Sequence, residues 1–250
     1  MNSKRNISIV GGAGHVGFPL GLMLSSKGYK VSLIDKHVEN MNKINNGEIP
    51  FLEEKSEKLL KGMIKQKRIH ATNKLNETVN SKYVIICIGT PINDRLKPNL
   101  KDFINFFYQL RKFLKKNQIV IIRSSIYPGI CNKIYKIIKK KCKNLSYCPE
   151  RIVQGESITE LPRLPQLVSG KSKRAIIESG KLFKKICKKI IYTDVTEAEL
   201  IKLFSNAYRY INFSISNQFY MICQNQNLDF FKIRKIMRDG YIRNANIPTS

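Results

Sequence analysis

Apolar positions along the chain fall into short runs separated by stretches of helical spacing. Residues 7–10, Ile-Ser-Ile-Val, end in a glycine cluster at 11–17. An amphipathic stretch from Phe18 to Lys27 stops at Gly28, a residue suited to a helix end. Residues 30–35 make a second strand-like run, closing a strand, glycine loop, helix, strand unit. Further runs are Tyr83 to Ile88, Ile119 to Arg123 and Lys189 to Tyr192, with helical patterns between them, including residues 173–189. Strand and helix in alternation predict a parallel, doubly wound α/β sheet. From 196 to 224 apolar residues recur at near-helical spacing without Gly or Pro, which predicts one long helix, and a shorter one follows at about 228–237. Thr196 with Glu199 has capping-box spacing at the start of the long helix. The expected organisation is a Rossmann-type domain over 1–193 and a helical domain over 194–250.

Composition bounds the class. The chain has 250 residues, 42% hydrophobic and 25% charged, ordinary for a folded domain with a sizeable core. No apolar run approaches the ~20 residues of a membrane span, and residues 7–10 are too short for a signal-peptide core. A cytoplasmic protein with no membrane partner is the default expectation. The net charge is +27, but 33 of the 45 basic residues are Lys and only 12 are Arg. Runs such as 139–141 and 184–185 flank apolar residues at helical spacing, as solvated helix faces do. The remaining reading is a field that attracts anions, phosphorylated metabolites included. No RNP, helix-turn-helix or zinc pattern supports nucleic acid as a partner. The six cysteines (87, 131, 142, 148, 187, 223) contain no CxxC pair, so neither a metal site nor disulfides are expected, and Cys87 and Cys223 read as core thiols. The three histidines lie at 15, 37 and 70, which excludes a later His as general base.

Gly12-x-Gly14-x-x-Gly17 follows a strand and opens a helix, the context a dinucleotide fingerprint needs. Glycines permit the tight turn and let backbone N–H groups reach a pyrophosphate, and the helix N-terminus adds partial positive charge. Asp35 lies 23 residues past Gly12 at the end of the second run. A carboxylate there accepts the ribose hydroxyls and repels a 2′-phosphate, which favours NAD over NADP. His15 and Val16 sit inside the loop, with their backbone near the cofactor. The bland alternative is a glycine-rich turn beside a surface Asp, and Lys36 weakens the NAD preference.

Without a suitable His, hydride chemistry needs another group at the reacting oxygen, and Lys serves when burial tunes it. Lys202 and Asn206 are four residues apart on the long helix, so they share a face, with Arg209 one step further. Alone, that spacing is an ordinary helix surface. It gains meaning after a complete nucleotide-binding pattern.

Six segments in order carry a resemblance: Gly-Gly-Ala-Gly-His-Val-Gly (11–17), Ile-Asn-Asn-Gly-Glu-Ile-Pro-Phe-Leu-Glu (44–53), Ile-Gly-Thr-Pro (88–91), Arg-Ser-Ser-Ile-Tyr-Pro-Gly (123–129), Tyr-Cys-Pro-Glu-Arg-Ile-Val-Gln-Gly-Glu-Ser (147–157) and Glu-Leu-Ile-Lys-Leu-Phe-Ser-Asn-Ala-Tyr-Arg (199–209). Together they resemble the UDP-glucose/GDP-mannose dehydrogenase family over nearly the whole chain. Cys-Pro-Glu-Arg and Asn-x-Tyr-Arg look most like its UDP-N-acetylhexosamine branch. The resemblance implies oxidation of the C6 alcohol of a UDP-sugar to the acid in two NAD-dependent steps, through an aldehyde and a cysteine thioester, for surface polysaccharide synthesis. It implies that Thr90 and Ser125 contact NAD, and that Glu150 acts in the hydrolytic half. Arg151 and Ile152 would touch substrate, Lys202 and Asn206 would stabilise the oxyanion, and Arg209 would line the sugar site. A departure accompanies the matches: none of the six cysteines occupies the place of the family's nucleophile, which follows the long helix. The long helix, apolar over a wide arc, is expected to pair with its copy in a homodimer. Two other readings stand beside this one: a β-hydroxyacid dehydrogenase, which shares the Lys-x-x-x-Asn helix, and a non-catalytic NAD-binding fragment or subunit.

Overall fold

The computed structural model describes residues 6–53, 55–90, 100–153, 155–244 and 246–248. They fall into two compact units, Met1–Leu200 and Ile201–Ser250.

In the first unit β1 (Asn6–Val10), α1 (Gly17–Ser26), β2 (Lys30–Ile34), α2 (Val38–Asn45), α3 (Ser56–Lys65), β3 (Ile69–Thr72) and β4 (Tyr83–Ile86) form one winding. Then come α4 (Leu100–Leu110), β5 (Ile119–Ile122), α5 (Ile130–Ile138), β6 (Leu145–Tyr147), α6 (Ser157–Glu160), β7 (Gln166–Gly170), α7 (Lys173–Phe183) and β8 (Ile190–Tyr192). One eight-stranded sheet results, in the order β3-β2-β1-β4-β5-β6-β7-β8. The first six strands are parallel in the doubly wound order, and the chain reverses direction of growth between β1 and β4. β7 departs from the all-parallel expectation by pairing antiparallel with β6.

The two faces of the sheet carry separate cores. Ile9, Ile85 and Ile121 lie side by side across β1, β4 and β5 and pack with Phe18 and Leu22 of α1. One residue on, Val10, Ile86 and Ile122 face the other side against Phe103, Phe107 and Ile134. All eight residues of β4 and β5 are buried, as expected of central strands covered on both faces. Each such side chain contributes about 1.5–3 kcal/mol relative to exposure.

β3, β6 and β7 had no clear apolar signature. β6 buries Ser146, whose hydroxyl accepts from Ser179 at 2.8 Å. β7 begins with buried Gln166, whose amide donates to the carbonyls of Leu167 at 2.8 Å and Pro149 at 3.2 Å. Ser146 and Gln166 inside these strands are thus satisfied by hydrogen bonds, whereas the buried Tyr147 hydroxyl at the end of β6 has no partner among the described residues.

The long helix α8 runs over Val195–Asn225, and its first turns belong to the first unit. Its cap differs from the expected Thr196–Glu199 box. Glu197 takes that role, accepting from Thr193 Oγ1 and from the Asp194 N–H at 3.1 Å. Glu199 is fully buried and accepts instead from the backbone N–H groups of Gly129 at 2.7 Å and Cys131 at 2.9 Å, the first turn of α5. In the second unit α9 (Phe230–Arg238) is capped by Asp229, which accepts from the N–H groups of Phe231 and Lys232. Ser216 of α8 and Arg234 of α9 both donate to the Pro248 carbonyl, at 2.7 and 3.0 Å.

Candidate cofactor and substrate site

The glycine loop joins β1 to α1 at the carboxyl edge of the sheet. Its three fingerprint glycines are required for different reasons. A Cβ on Gly12 would lie 2.7 Å from the Ile9 carbonyl oxygen and from Leu33 Cα, so the turn itself excludes one. A Cβ on Gly17 would lie 2.2 Å from the Gly11 oxygen, so close packing of α1 on the loop excludes one there. At Gly14 the protein sets no such demand. Its φ lies outside the left-handed region, and the nearest atom to an added Cβ is 3.5 Å away. The vacant space over Gly14 is where a pyrophosphate approaches the backbone in a dinucleotide site. Helix α1 has no side-chain cap, leaving its N-terminal N–H groups for an anion.

Asp35, just past β2, ties the loop down. One carboxylate oxygen accepts from the Ala13 N–H at 3.0 Å, and the other from the N–H groups of Lys36 and His37 at 2.8 and 3.2 Å. Lys36 is exposed beside it. His15 is exposed and stacks on Phe51 with ring centroids 3.9 Å apart, while half-buried Val16 precedes α1. Thr90 and Ser125, from the loops that follow β4 and β5, are brought together: the Thr90 hydroxyl donates to the Ser125 carbonyl at 2.7 Å. Pro91 lies outside the described residues.

Glu150 is buried, follows β6, and is held on both oxygens. Oε1 accepts from the N–H groups of Arg151 at 2.7 Å and Ile152 at 3.1 Å. Oε2 is ion-paired with Arg123. The Arg123 side chain is fully buried, donates to Gln166 at 2.9 Å, and lies 4.8 Å from the centroid of the Phe183 ring. Burial holds its guanidinium below the usual arginine range, with the thiols of Cys87, Cys148 and Cys187 acting in the opposite sense. Arg151 donates to the Pro165 carbonyl, so its guanidinium is directed at the protein. A cavity of about 10 Å³, the size of a single water, is lined by Glu150, Arg151 and Gln166.

Arg123 and Glu53 lie in the resembling segments but receive no role from the sequence, and Gln166 is not singled out by it. Glu53 is buried and accepts from Ser157 Oγ at 2.9 Å and the Ile158 N–H at 3.0 Å, joining segment 44–53 to segment 147–157. A separation of 104 residues leaves no local signal for that bond.

In the second unit Lys202 is buried, Asn206 half-buried and Arg209 exposed along one face of α8, with Arg209 over the Tyr210 ring. The five thiols of the first unit are unsuited to attack. Burial pushes Cys87 and Cys148 up to about 12 and raises Cys131, Cys142 and Cys187 as well. Cys223 is buried in the second unit beside Phe219, Phe230 and Met237.

Residues 5–191 match the NAD binding domain of the UDP-glucose/GDP-mannose dehydrogenase family, and residues 196–245 its central domain. The chain belongs to that family. It is 30% identical over 230 residues to the UDP-N-acetyl-D-mannosamine dehydrogenase of Methanococcus maripaludis, covering 90% of this chain and 53% of that protein. It is 25% identical over 240 residues to the UDP-glucose 6-dehydrogenase of Rickettsia bellii, covering 92% and 54%. The structure of the UDP-D-ManNAc dehydrogenase from Pyrococcus horikoshii superposes with a TM-score of 0.88 at 25% identity, over 98% of this chain and 59% of that one. The chain thus spans about half the length of the curated relatives it matches. As a member of the family it carries the family's NAD-binding domain in its first unit.

Proposed function

We propose that this chain is the NAD-binding and sugar-nucleotide-binding portion of a UDP-sugar 6-dehydrogenase, with a UDP-N-acetylhexosamine as substrate. The observation that carries the reading is the space over Gly14. The fold does not need a glycine there, and a diphosphate does. Loop N–H groups and the N-terminus of α1 hold the pyrophosphate, and Asp35 holds the adenosine ribose and disfavours a 2′-phosphate. Thr90 and Ser125 place hydroxyl groups along the nicotinamide ribose. When bound, the oxidised nicotinamide accepts hydride from the C6 alcohol carbon.

Lys202 and Asn206 stabilise negative charge on the C6 oxygen by charge-assisted hydrogen bonding. Arg209, Arg151 and Ile152 line the sugar nucleotide. Glu150 serves the hydrolytic half by positioning water through its carboxylate, with Arg123 keeping that carboxylate in place. The molecule works in the cytoplasm as a homodimer through α8. That pairing is supported by its exposed Phe204 (65%), Tyr208 (63%) and Ile211 (59%), and a monomer by light scattering at micromolar concentration counts against it.

The six buried or packed thiols favour a narrower reading of this chain by itself: it binds NAD and substrate without completing the oxidation to the acid. Calorimetric titration of UDP-N-acetylmannosamine, UDP-N-acetylglucosamine and UDP-glucose into the NAD-saturated chain tests the assignment. Binding of an N-acetylhexosamine nucleotide is expected. Heat from none of the three contradicts the substrate class, and sustained uronic acid formation by this chain contradicts the narrower reading.

A further inference from the structure

The first unit is electrically lopsided in a way the dehydrogenase reading does not use. Because β1 to β6 are parallel, the segments that precede them converge on one edge, opposite the glycine loop. Helices α1, α3, α4 and α5 end there, and α7 begins there because β7 runs back along β6. Six segments form the edge: 26–30, 65–69, 80–82, 111–118, 139–144 and 171–174. They hold seventeen Lys or Arg in thirty-one residues and no carboxylate.

Hydrogen bonds stitch them into one surface. The Arg68 carbonyl accepts from Val31 at 2.8 Å, and the Lys82 carbonyl accepts from Ile119 at 2.9 Å. Asn144 donates to the Lys116 carbonyl at 3.3 Å, Ser172 donates to Asn144 at 3.1 Å, and Arg174 donates to Asn117. The carboxylates nearest this edge are already engaged, Glu77 with His70 at 2.8 Å and Glu178 with Lys82.

Helix dipoles explain part of this arrangement, since cations favour helix C-termini. They do not explain Lys173 and Arg174, which occupy the first turn of α7, where no acidic residue offsets them. Nor do they explain why so many like charges stand without intervening carboxylates. An edge of this kind is a surface for a polyanion. Its composition separates two classes of partner. Single-stranded nucleic acid is gripped by stacking on exposed aromatic rings and by Arg. The only aromatics in the six segments, Tyr29 and Phe113, are half-buried, and Lys outnumbers Arg. Lys is the point charge suited to a planar, weakly structured array of phosphates. At the β2–β3 end a recess of about 300 Å³, lined by Lys30, Lys67, Arg68 and His70 together with Glu77, which His70 engages, has room for a phosphate head group.

Contrary to the expectation of no membrane partner, we propose that this edge attaches the protein peripherally to an anionic phospholipid surface, with the glycine-loop edge facing solution. No described helix is long and apolar enough to cross a membrane, so the attachment is electrostatic. The test is co-sedimentation of the full chain with vesicles of neutral phosphatidylcholine alone or with roughly a third phosphatidylglycerol. Binding to the anionic vesicles alone is expected, lost at about 0.5 M salt as the Debye length shrinks. Replacing Lys139, Lys140 and Lys141 with Gln should weaken it roughly a hundredfold, at the usual increment per basic residue near such a surface. Replacing exposed Lys184, Lys185 and Lys188 with Gln removes the same charge elsewhere and should leave it within about threefold. NAD affinity, unchanged in both variants, reports that the fold is intact. The proposal is overturned by equal binding to neutral vesicles, by equal loss in both triple variants, or by a single-stranded RNA that displaces the chain from vesicles at matched phosphate concentration.

Discussion

Substituting Gly14 with Ala separates what the fold requires from what the cofactor requires. The added methyl would meet nothing in the protein closer than 3.5 Å, and the backbone angle suits Ala. Stability should therefore hold or rise by about 0.4–1 kcal/mol, as the unfolded chain loses freedom. The same methyl occupies the path of the diphosphate. Losing one or two charge-assisted N–H to phosphate bonds costs about 3 kcal/mol, roughly a hundredfold in the NAD dissociation constant. Gly17→Ala is the internal contrast. Its methyl would lie 2.2 Å from the Gly11 oxygen and 2.8 Å from Gly12 Cα, so the helix must move. That variant should lose about 1–3 kcal/mol of stability. Calorimetric titration with NAD and urea unfolding, run on both variants, provide the two readouts. The reasoning is refuted if Gly14→Ala binds NAD within twofold of the parent chain, or unfolds as readily as Gly17→Ala.

Other expectations follow from the same contacts. Arg123→Met leaves Glu150 buried without its partner and should lower stability by about 3–5 kcal/mol by urea unfolding, with much of it regained in Arg123→Met/Glu150→Gln. Cys87 and Cys148 should react slowly with a thiol reagent in the native chain at pH 8 and fully only on unfolding, because thiols held near 12 are almost wholly protonated there, as peptide mapping of the labelled chain would show. The hydrogen bond from Lys82 holds the Glu178 carboxyl below the ordinary carboxylate range. Its stabilisation is present above the unfolded-state value near 4.5 and lost as pH falls through the lower folded-state value, so the urea midpoint should drop on acidification below about pH 4.5, less steeply in Lys82→Met.

The legible parts of the molecule were those whose constraint is local. Gly12, Gly14 and Gly17 announce a turn at fixed spacing, and Lys202, Asn206 and Arg209 share a helix face by periodicity alone. β4 and β5 read as strands because they are apolar and buried on both sides. Legibility failed where tertiary bonds replace apolar content. β6 and β7 bury Ser146 and Gln166, satisfied by Ser179 and by the carbonyls of Pro149 and Leu167. Glu199 had the spacing of a capping residue, yet α5 draws it away and Glu197 caps instead. Arg123 precedes a hydroxyl pair and looks solvent-bound in sequence; only the fold turns it inward to Glu150. Local order, then, revealed where the cofactor loop is, but not which buried charges brace the segments around it.

Asp35 and the glycine loop it secures set the preference for NAD. Titration of NAD and of NADP into the chain and into Asp35→Asn measures that directly. One NAD per parent chain is predicted, with NADP at least about tenfold weaker and the preference lost in the variant. No heat from NAD, or equal affinity for the two dinucleotides in the parent chain, would contradict it.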